Sequence, residues 1–404
     1  MNKKEAFFID NLLIGEILLL ILALQTMILE ESQVTSTPRE RCIATLELEE
    51  PDRVPLFELG VNLATIERIL GRRTVSAPLG RMTSQELCDL ARDIVLSYEK
   101  AGLDMVPASA GIPENYPEGF LPSRVSENRW KDEFGRIWED RPGITGLSWY
   151  IGGTVKTWED LNEIKGIDPK MPGRTALAER IIELGRKKDL AVTGYVDGPF
   201  LTAYMTTGLE TFLVKFYRDR AFAKELLEFS LRFNITVAKK LIESEVDAIV
   251  VGEDIADIHG PFINPKEFKA SILPYLKMEI SEIKRSGIKM ILHSDGYTMP
   301  VFEDLVKLGI DGYQAIEGDA GMDIGLLKER YGDRLCLLGN VDCGYTLSRA
   351  SVREVMQETR TVIDKAGHGG GLIMGSSNSI HDGVKFENFL AMIEATKEYG
   401  KYYG

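Results

Sequence analysis

The chain has 404 residues, with 62 Asp and Glu against 48 Lys and Arg, a formal charge of −14. At 44% hydrophobic, 8% aromatic and 27% charged it has a globular make-up, which excludes a collagenous, disordered or disulfide-built protein. The acidic balance repels phosphate backbones and removes nucleic acid from the expected partners.

Residues 1–36 differ from the rest. Lys3 and Lys4 precede an apolar stretch that is densest over Ile17-Leu-Leu-Leu-Ile-Leu-Ala-Leu24, and Asp10 and Glu16 interrupt it. The uninterrupted part falls short of the roughly 20 residues that span a bilayer. Leu24-Gln-Thr-Met27 supplies no small-residue cleavage site. The segment reads as a hydrophobic extension irrelevant to the chemistry. Weak membrane association through residues 7–29, packing on the body or a partner, and an over-long start stay open. The four cysteines, Cys42, Cys88, Cys336 and Cys343, form no C-x-x-C pair, so the expected compartment is a reducing cytoplasm. Cys336 lies in an apolar run and reads as core.

A single domain is expected over residues 37–404. Ser36-Thr-Pro-Arg-Glu40 is a capping-type start, and an amphipathic helix is predicted over 41–48. Eight candidate strands follow, at 54–58, 105–109, 191–197, 248–254, 289–295, 312–317, 336–342 and 371–377. Helical patterns stand between them, at 212–222, 224–243, 265–286 and 299–308 among others. Eight alternations of this kind predict an α/β fold, a (β/α)8 TIM barrel. The runner-up is a doubly wound sheet. Against it, no G-x-G-x-x-G follows the first strand, and Gly367-His-Gly-Gly-Gly371 precedes a strand. Trp130-Lys-Asp-Glu-Phe-Gly-Arg-Ile-Trp138 predicts a β-hairpin inserted near 128–140. With the proline-bearing loop 107–122 it would form a rim over one barrel end.

In such a barrel the active site lies at the carboxyl ends of the strands, and those ends are polar here. In chain order they are Glu58, Tyr195-Val-Asp197, Gly252-Glu-Asp254, His293-Ser-Asp295, Glu317, Asn340-Val-Asp342 and Ser376-Ser-Asn-Ser-Ile-His381. Residues separated by one on a strand share a face, so His293 and Asp295 can converge on one ion or proton. A His–Asp bond that only orders the loop before Gly296 is the plain alternative. Glu253, Asp254, Glu317, His381 and Asp382 are further groups that could complete a metal site. A carboxylate-rich site suits Zn²⁺ or another divalent ion better than a soft metal. His259 and His368 read as loop residues.

Several motifs carry a resemblance. Arg39-Glu-Arg41 through Glu49-Glu-Pro-Asp-Arg-Val-Pro55, Gly198-Pro-Phe200, Gly260-Pro-Phe-Ile-Asn-Pro265 with Pro274-Tyr-Leu-Lys277, and Gly339-Asn-Val-Asp342 are similar to the uroporphyrinogen decarboxylase superfamily. The resemblance runs from about Thr37 to Tyr403 and implies one (β/α)8 barrel. True decarboxylases of the family carry an early R-Q-A-G-R segment that grips porphyrinogen carboxylates. Here Phe57-Glu-Leu-Gly-Val-Asn-Leu63 has no arginine before Arg68, with Arg72, Arg73 and Arg81 as the available substitutes. The chain is closer to the corrinoid-linked methyltransferase branch, whose H-x-C motif on strand five here reads His293-x-Asp295. The later cysteine position falls at Ser376 or Ser377.

The resemblance therefore implies a methyltransferase moving a methyl group between a small methylated substrate and a corrinoid protein. His293 and Asp295 are the expected Zn²⁺ ligands, and Cys343 is a candidate thiolate. Glu253, Asp254, Glu317 and Asp197 are the candidate catalytic groups. Glu58, Tyr195, Asn340, Asn378 and His381 are candidates for substrate binding. A homodimer is allowed by the resemblance. The alternatives are a lyase acting on a porphyrinogen or smaller acid, and a non-catalytic binder of a corrinoid or another ligand.

Overall fold

Thr37 opens the first helix of the body, Pro38–Leu46. Its side chain accepts from the Glu40 N–H and the Glu40 carboxylate answers at the Thr37 N–H, a closed capping box with Pro38 at the first helical position. The computed structural model describes residues 36–75, 82–110, 122–139 and 149–402. The extension 1–35, Arg81 and most of the proline-bearing loop lie outside the described residues.

Seven parallel strands form one sheet in the order β1 (Met105–Ser109), β6 (Ala191–Asp197), β7 (Ala248–Gly252), β10 (Lys289–His293), β11 (Gly312–Gln314), β12 (Cys336–Val341) and β13 (Leu372–Ser376). The predicted first strand, 54–58, is a short extended segment that bridges both edges of this sheet. Leu56 pairs with Met374 of β13, and Phe57 pairs with Met105 of β1. Phe57 N–H donates to Met374 O at 2.9 Å and Asp104 N–H to Leu56 O at 2.8 Å. The sheet therefore closes on itself as an eight-membered α/β barrel.

Alternation along the strands sorts side chains into two layers. Phe57, Met105, Ala191, Ala248, Val250, Ile291, Cys336, Leu338 and Ile373 fill the interior. Their neighbours, such as Val106, Val192, Ile249, Val251, Leu292 and Leu337, face the surrounding helices. Cys42 and Leu46 of the first helix join the interior cluster. On the same side, buried Arg41 bonds Asp52 and Asp104, and Asp104 also receives Arg53 and the Leu56 N–H.

Between β1 and β6 the chain builds more than the expected hairpin. β3 (Arg129–Lys131) and β4 (Arg136–Glu139) pair antiparallel, and β2 (Ser123–Arg124) and β5 (Trp149–Gly153) extend them to four strands in the order β2-β3-β4-β5. Gly135 makes the turn at φ +76°, where a Cβ would strike Thr154 Oγ1 at 2.6 Å. A two-residue ribbon, β8 (Ala256–Asp257) with β9 (Gly260–Pro261), follows β7. Two helices depart from their sequence outlines. The stretch predicted as 265–286 breaks at Ile272 into Pro265–Ser271 and Leu273–Lys284, because Pro274 cannot donate to the preceding turn. The 212–222 pattern ends at Arg218, and Asp219 caps a new helix, Arg220–Glu243, by accepting from the Phe222 N–H. Among the described residues no helix is long and apolar enough to cross a membrane.

Candidate metal centre at the barrel mouth

The interior register continues past the last paired residue of each strand. On β7 Ala248, Val250 and Gly252 face inward; a Cβ on Gly252 would run into the Tyr195 hydroxyl. Asp254 follows in the same register. On β10 the inward positions are Ile291, His293 and Asp295, and on β11 Gln314 stands beside His293 as its paired residue. The outcome is a cluster on the axis. His293 Nε2 lies 3.5 Å from Asp254 Oδ1 and 3.6 Å from Asp295 Oδ1. One ligand atom from each of Asp254, His293 and Asp295 falls within 4.8 Å of the others.

The donors of this cluster are short of partners. Asp254 Oδ1 accepts the Asp295 N–H at 3.3 Å. Asp295 Oδ1 is buried with no hydrogen-bond partner, although the side chain as a whole is 32% exposed. An orphaned buried carboxylate oxygen is costly unless a cation or proton sits against it. Burial pushes Asp295 up to about 6 against the pull of His293, and burial likewise raises Asp254. Burial works to lower the His293 imidazolium, and the Asp295 and Asp254 carboxylates outweigh it, so the ring is held above its usual range. When the ring is neutral with its lone pair on Nε2, the three side chains offer convergent acceptors, and imidazole and carboxylates are the ligand types of zinc and other divalent ions.

Glu317 stands next to this group. Its Oε2 accepts the Gly296 N–H at 2.8 Å and its Oε1 accepts from Asn378 Nδ2 at 3.4 Å, and burial followed by the Asp295 charge raises its carboxyl. Asn378 also bonds Asp295, so it braces two acids of the site. Tyr195 lies in the interior layer, its hydroxyl pushed up by burial and then by Asp197. Asn340, 8% exposed, continues the inward register of Cys336 and Leu338. Asp197 receives Arg136 Nη1 at 3.0 Å, while Arg136 Nε holds Asp132 at 2.6 Å. This chain of charges latches the inserted sheet to the end of β6 and borders a cavity of about 230 Å³.

Other sequence candidates fall elsewhere. Glu253 and Glu58 point outward, into the layer under the helices. Both Glu253 oxygens cap the helix Pro199–Thr207, accepting from Phe200 N–H at 3.0 Å and Leu201 N–H at 2.9 Å. Glu58 binds the Ser376 N–H and hydroxyl, at 2.8 and 2.7 Å. Burial pushes each of these acids up to about 8. His381 Nδ1 accepts the Gly383 N–H at 3.0 Å in a local turn and does not join the cluster. Cys343 also stands outside it. Its N–H donates to Ser377 Oγ, Ser377 Oγ donates to its sulfur at 3.4 Å, and burial pushes the thiol up to about 11. His259 and His368 are exposed.

Sequence reasoning missed Gln314, Asp132 and Arg136. Gln314 bears no charge, and only the β10–β11 register sets it beside His293. Arg136 was legible as a hairpin residue, but its reach to Asp197 is a long-range contact. Of the arginines offered as carboxylate grips, Arg73 is exposed. Arg68 covers the Phe386 ring at 4.2 Å, Arg72 is held by Asp93 at 2.5 and 2.8 Å, and Arg81 lies outside the described residues.

Known proteins are similar to this chain in sequence and in fold. The uroporphyrinogen decarboxylase (URO-D) family model matches residues 150–399. The methylcobamide:CoM methyltransferase MtbA of Methanosarcina acetivorans is 25% identical over 252 residues, covering 62% of this chain and 71% of that protein. A uroporphyrinogen decarboxylase of Legionella pneumophila is 26% identical over 279 residues, covering 65% and 76%. The solved structure of a methyltransferase from Methanosarcina mazei superposes with a TM-score of 0.65 at 19% identity, over 90% of this chain and 99% of that one. The last likeness concerns the fold.

Proposed function

This chain belongs to the uroporphyrinogen decarboxylase family, and from that premise we propose that it is a metal-dependent methyltransferase passing a methyl group between a small methylated substrate and a corrinoid carried by a separate protein. The observation that carries the reading is the convergence of Asp254, His293 and Asp295, with a buried, partnerless Asp295 oxygen, at the mouth of the barrel. These three side chains would hold the ion, and Zn²⁺ is the ion the imidazole–carboxylate set suggests. Bound there, a divalent ion supplies Lewis acidity to the heteroatom that carries or receives the methyl group. With two carboxylates in place of thiolates the donor set is hard, which favours an oxygen- or nitrogen-bound methyl group, as in a methoxy compound or a methylamine, over a thioether.

The remaining groups act on the substrate. Glu317, its carboxyl raised by burial, would be the group that passes a proton to the departing heteroatom, and Asn378 Nδ2 bonds its Oε1. Tyr195 and Asn340 offer polar contacts on the axis, while the inserted sheet, latched by Arg136 to Asp197, walls the mouth against water. The matches to MtbA proteins support a corrinoid as the other party to the transfer. The decarboxylase reading, which the Legionella relative keeps open, is disfavoured by the early segment 57–63, which carries no arginine, and by Arg72 being held by Asp93, since a polycarboxylate needs free guanidinium forks.

Protein purified without chelators is expected to carry a divalent ion in proportion to chain. It should transfer the methyl group of methylcobalamin to a nucleophilic oxygen or nitrogen compound, leaving cob(I)alamin, or in reverse methylate cob(I)alamin from the methylated compound. His293→Ala should lose both properties. Metal-free protein whose His293→Ala variant retains full methyl exchange would overturn the proposal.

A further inference from the structure

Gln314 ends β11 in register with His293 of β10, and it is 3% exposed. Its amide is held at both ends. Nε2, which can only donate, reaches the Asn378 carbonyl at 3.4 Å. That turns Oε1 toward His293 Nδ1, with which it forms a close contact. An amide oxygen can only accept, so the ring proton on that side belongs to Nδ1. A neutral imidazole protonated at Nδ1 carries its lone pair on Nε2, and Nε2 is the nitrogen that faces Asp254 and Asp295.

We propose that Gln314 is a positioning residue: anchored by the Asn378 carbonyl, it fixes His293 as the Nδ1–H tautomer and aims the Nε2 lone pair at the point where the two aspartates converge. This rests on the metal reading of the site. An uncharged acceptor suits the place. Asp254, Asp295 and Glu317 already crowd the mouth with carboxylates, each raised by burial. A fourth acid behind the imidazole would add repulsion where an amide adds none. The amide thus does for the ring what a carboxylate or backbone carbonyl does behind many metal-bound histidines. If Gln314 only filled space, an apolar side chain of similar size would serve as well.

The chain has four histidines, so its ring nitrogens are few enough to resolve. Full-length protein labelled with ¹⁵N-histidine is stripped of metal and held at a pH where the His293 ring is neutral. Long-range ¹H–¹⁵N correlation is expected to show a His293 ring with a protonated Nδ1 and a bare Nε2, and the Nε2 signal should move when Zn²⁺ is added. In Gln314→Leu the tautomer should shift toward Nε2–H, and Zn²⁺ affinity should fall by about 10- to 100-fold. Gln314→Glu, which keeps an acceptor at the same place, should retain the Nδ1–H tautomer and bind Zn²⁺ more tightly than Gln314→Leu. A folded Gln314→Leu protein with the wild-type tautomer and wild-type Zn²⁺ affinity overturns the inference. So does an Nε2–H ring in the wild type, a result that needs no variant to fold. A wild type that shows the Nδ1–H ring but takes up no Zn²⁺ sinks the metal reading and leaves the role of Gln314 in the tautomer standing.

Discussion

Strand β7 runs out into Glu253-Asp254, two acids joined by one peptide bond, and they serve opposite sides of the barrel wall. Glu253 turns outward and spends both oxygens on the first N–H groups of the helix Pro199–Thr207, where the helix dipole also favours an acceptor. Asp254 turns inward, 3.5 Å from His293, into a cluster where Asp295 Oδ1 has no hydrogen-bond partner. The same division recurs around the mouth. Glu58 and Ser376 face outward and tie the first extended segment to β13, while Asn340 and Gln314 face the axis. The outward acids have saturated hydrogen bonds and hold the barrel together. Among the inward acids, Asp295 leaves Oδ1 without a hydrogen-bond partner.

Substitutions on the two sides should therefore fail in opposite ways. The largest effect belongs to the axis. Asp295→Asn removes a ligand and a buried orphan charge together. Methyl exchange should drop by two orders of magnitude or more, about 3 kcal/mol of barrier, with the ion lost on dialysis. The melting temperature should hold steady or rise, because that buried oxygen accepts no hydrogen bond within the fold. Paired metal analysis and thermal unfolding check both halves, and a lower melting temperature with intact metal would reverse the assignment of this face.

Glu253→Ala should do the converse. It strands the Phe200 and Leu201 N–H groups in a buried layer and opens a small cavity, a loss of about 2–4 kcal/mol in unfolding free energy. Metal content of the folded fraction should stay at the wild-type level. Denaturant titration followed by metal analysis of the folded pool tests this, and a metal-free but stable Glu253→Ala protein would show that the outward acid reaches the site.

A subtler signature is the pH dependence of stability. Burial raises the Glu58 carboxyl to about 8 in the folded protein, well above the 4.5 of an ordinary glutamic acid. The folded state therefore holds a proton that the unfolded chain releases between those values. Stability from this group is complete below about pH 4.5, declines as pH climbs toward 8, and is spent above it. Glu58→Gln copies the neutral acid: its amide can donate to the Ser376 hydroxyl and accept from the Ser376 N–H. Melting curves recorded from pH 5 to 8 should fall more steeply for the wild type than for this variant, and parallel curves would contradict the assignment.

Much of this division was written in the sequence, and the part that was not has a common cause. The runs 105–109 and 191–197 coincide with β1 and β6, because a parallel strand buried on both faces is a short β-branched or apolar run closed by polar residues. His293-x-Asp295 was legible from the period of two alone. What escaped depends on pairing between distant segments. Gln314 meets His293 only through the β10–β11 register, and Arg136 meets Asp197 only because a sheet inserted 61 residues earlier folds back over β6. The split between Glu253 and Asp254 is intermediate, since alternation says that they diverge but not which of them faces the axis. The interior positions of Ala248 and Val250 decide that.

Cys343 is the sharpest small test of the same idea, because a thiol is the ligand type that the resemblance to corrinoid-linked enzymes would place at such a site. Its surroundings are those of the saturated side. The sulfur accepts from Ser377 Oγ, the backbone N–H donates to that same oxygen, the residue is 8% exposed, and burial pushes the thiol up to about 11, far from the thiolate a metal would need. A bound cation close by would instead pull the thiol down, so the metal-loaded protein discriminates between the two placements. Cys343→Ser should cost less than about 1.5 kcal/mol of stability and leave the metal content and methyl exchange of the folded protein at wild-type levels. Loading wild-type protein with Co²⁺ gives an independent reading, because thiolate ligation produces an intense near-ultraviolet charge-transfer band that imidazole and carboxylate ligands do not. The expected spectrum lacks that band in wild type and variant alike. A band present in the wild type and absent in Cys343→Ser would move Cys343 from the saturated side of the wall to the cluster on the axis.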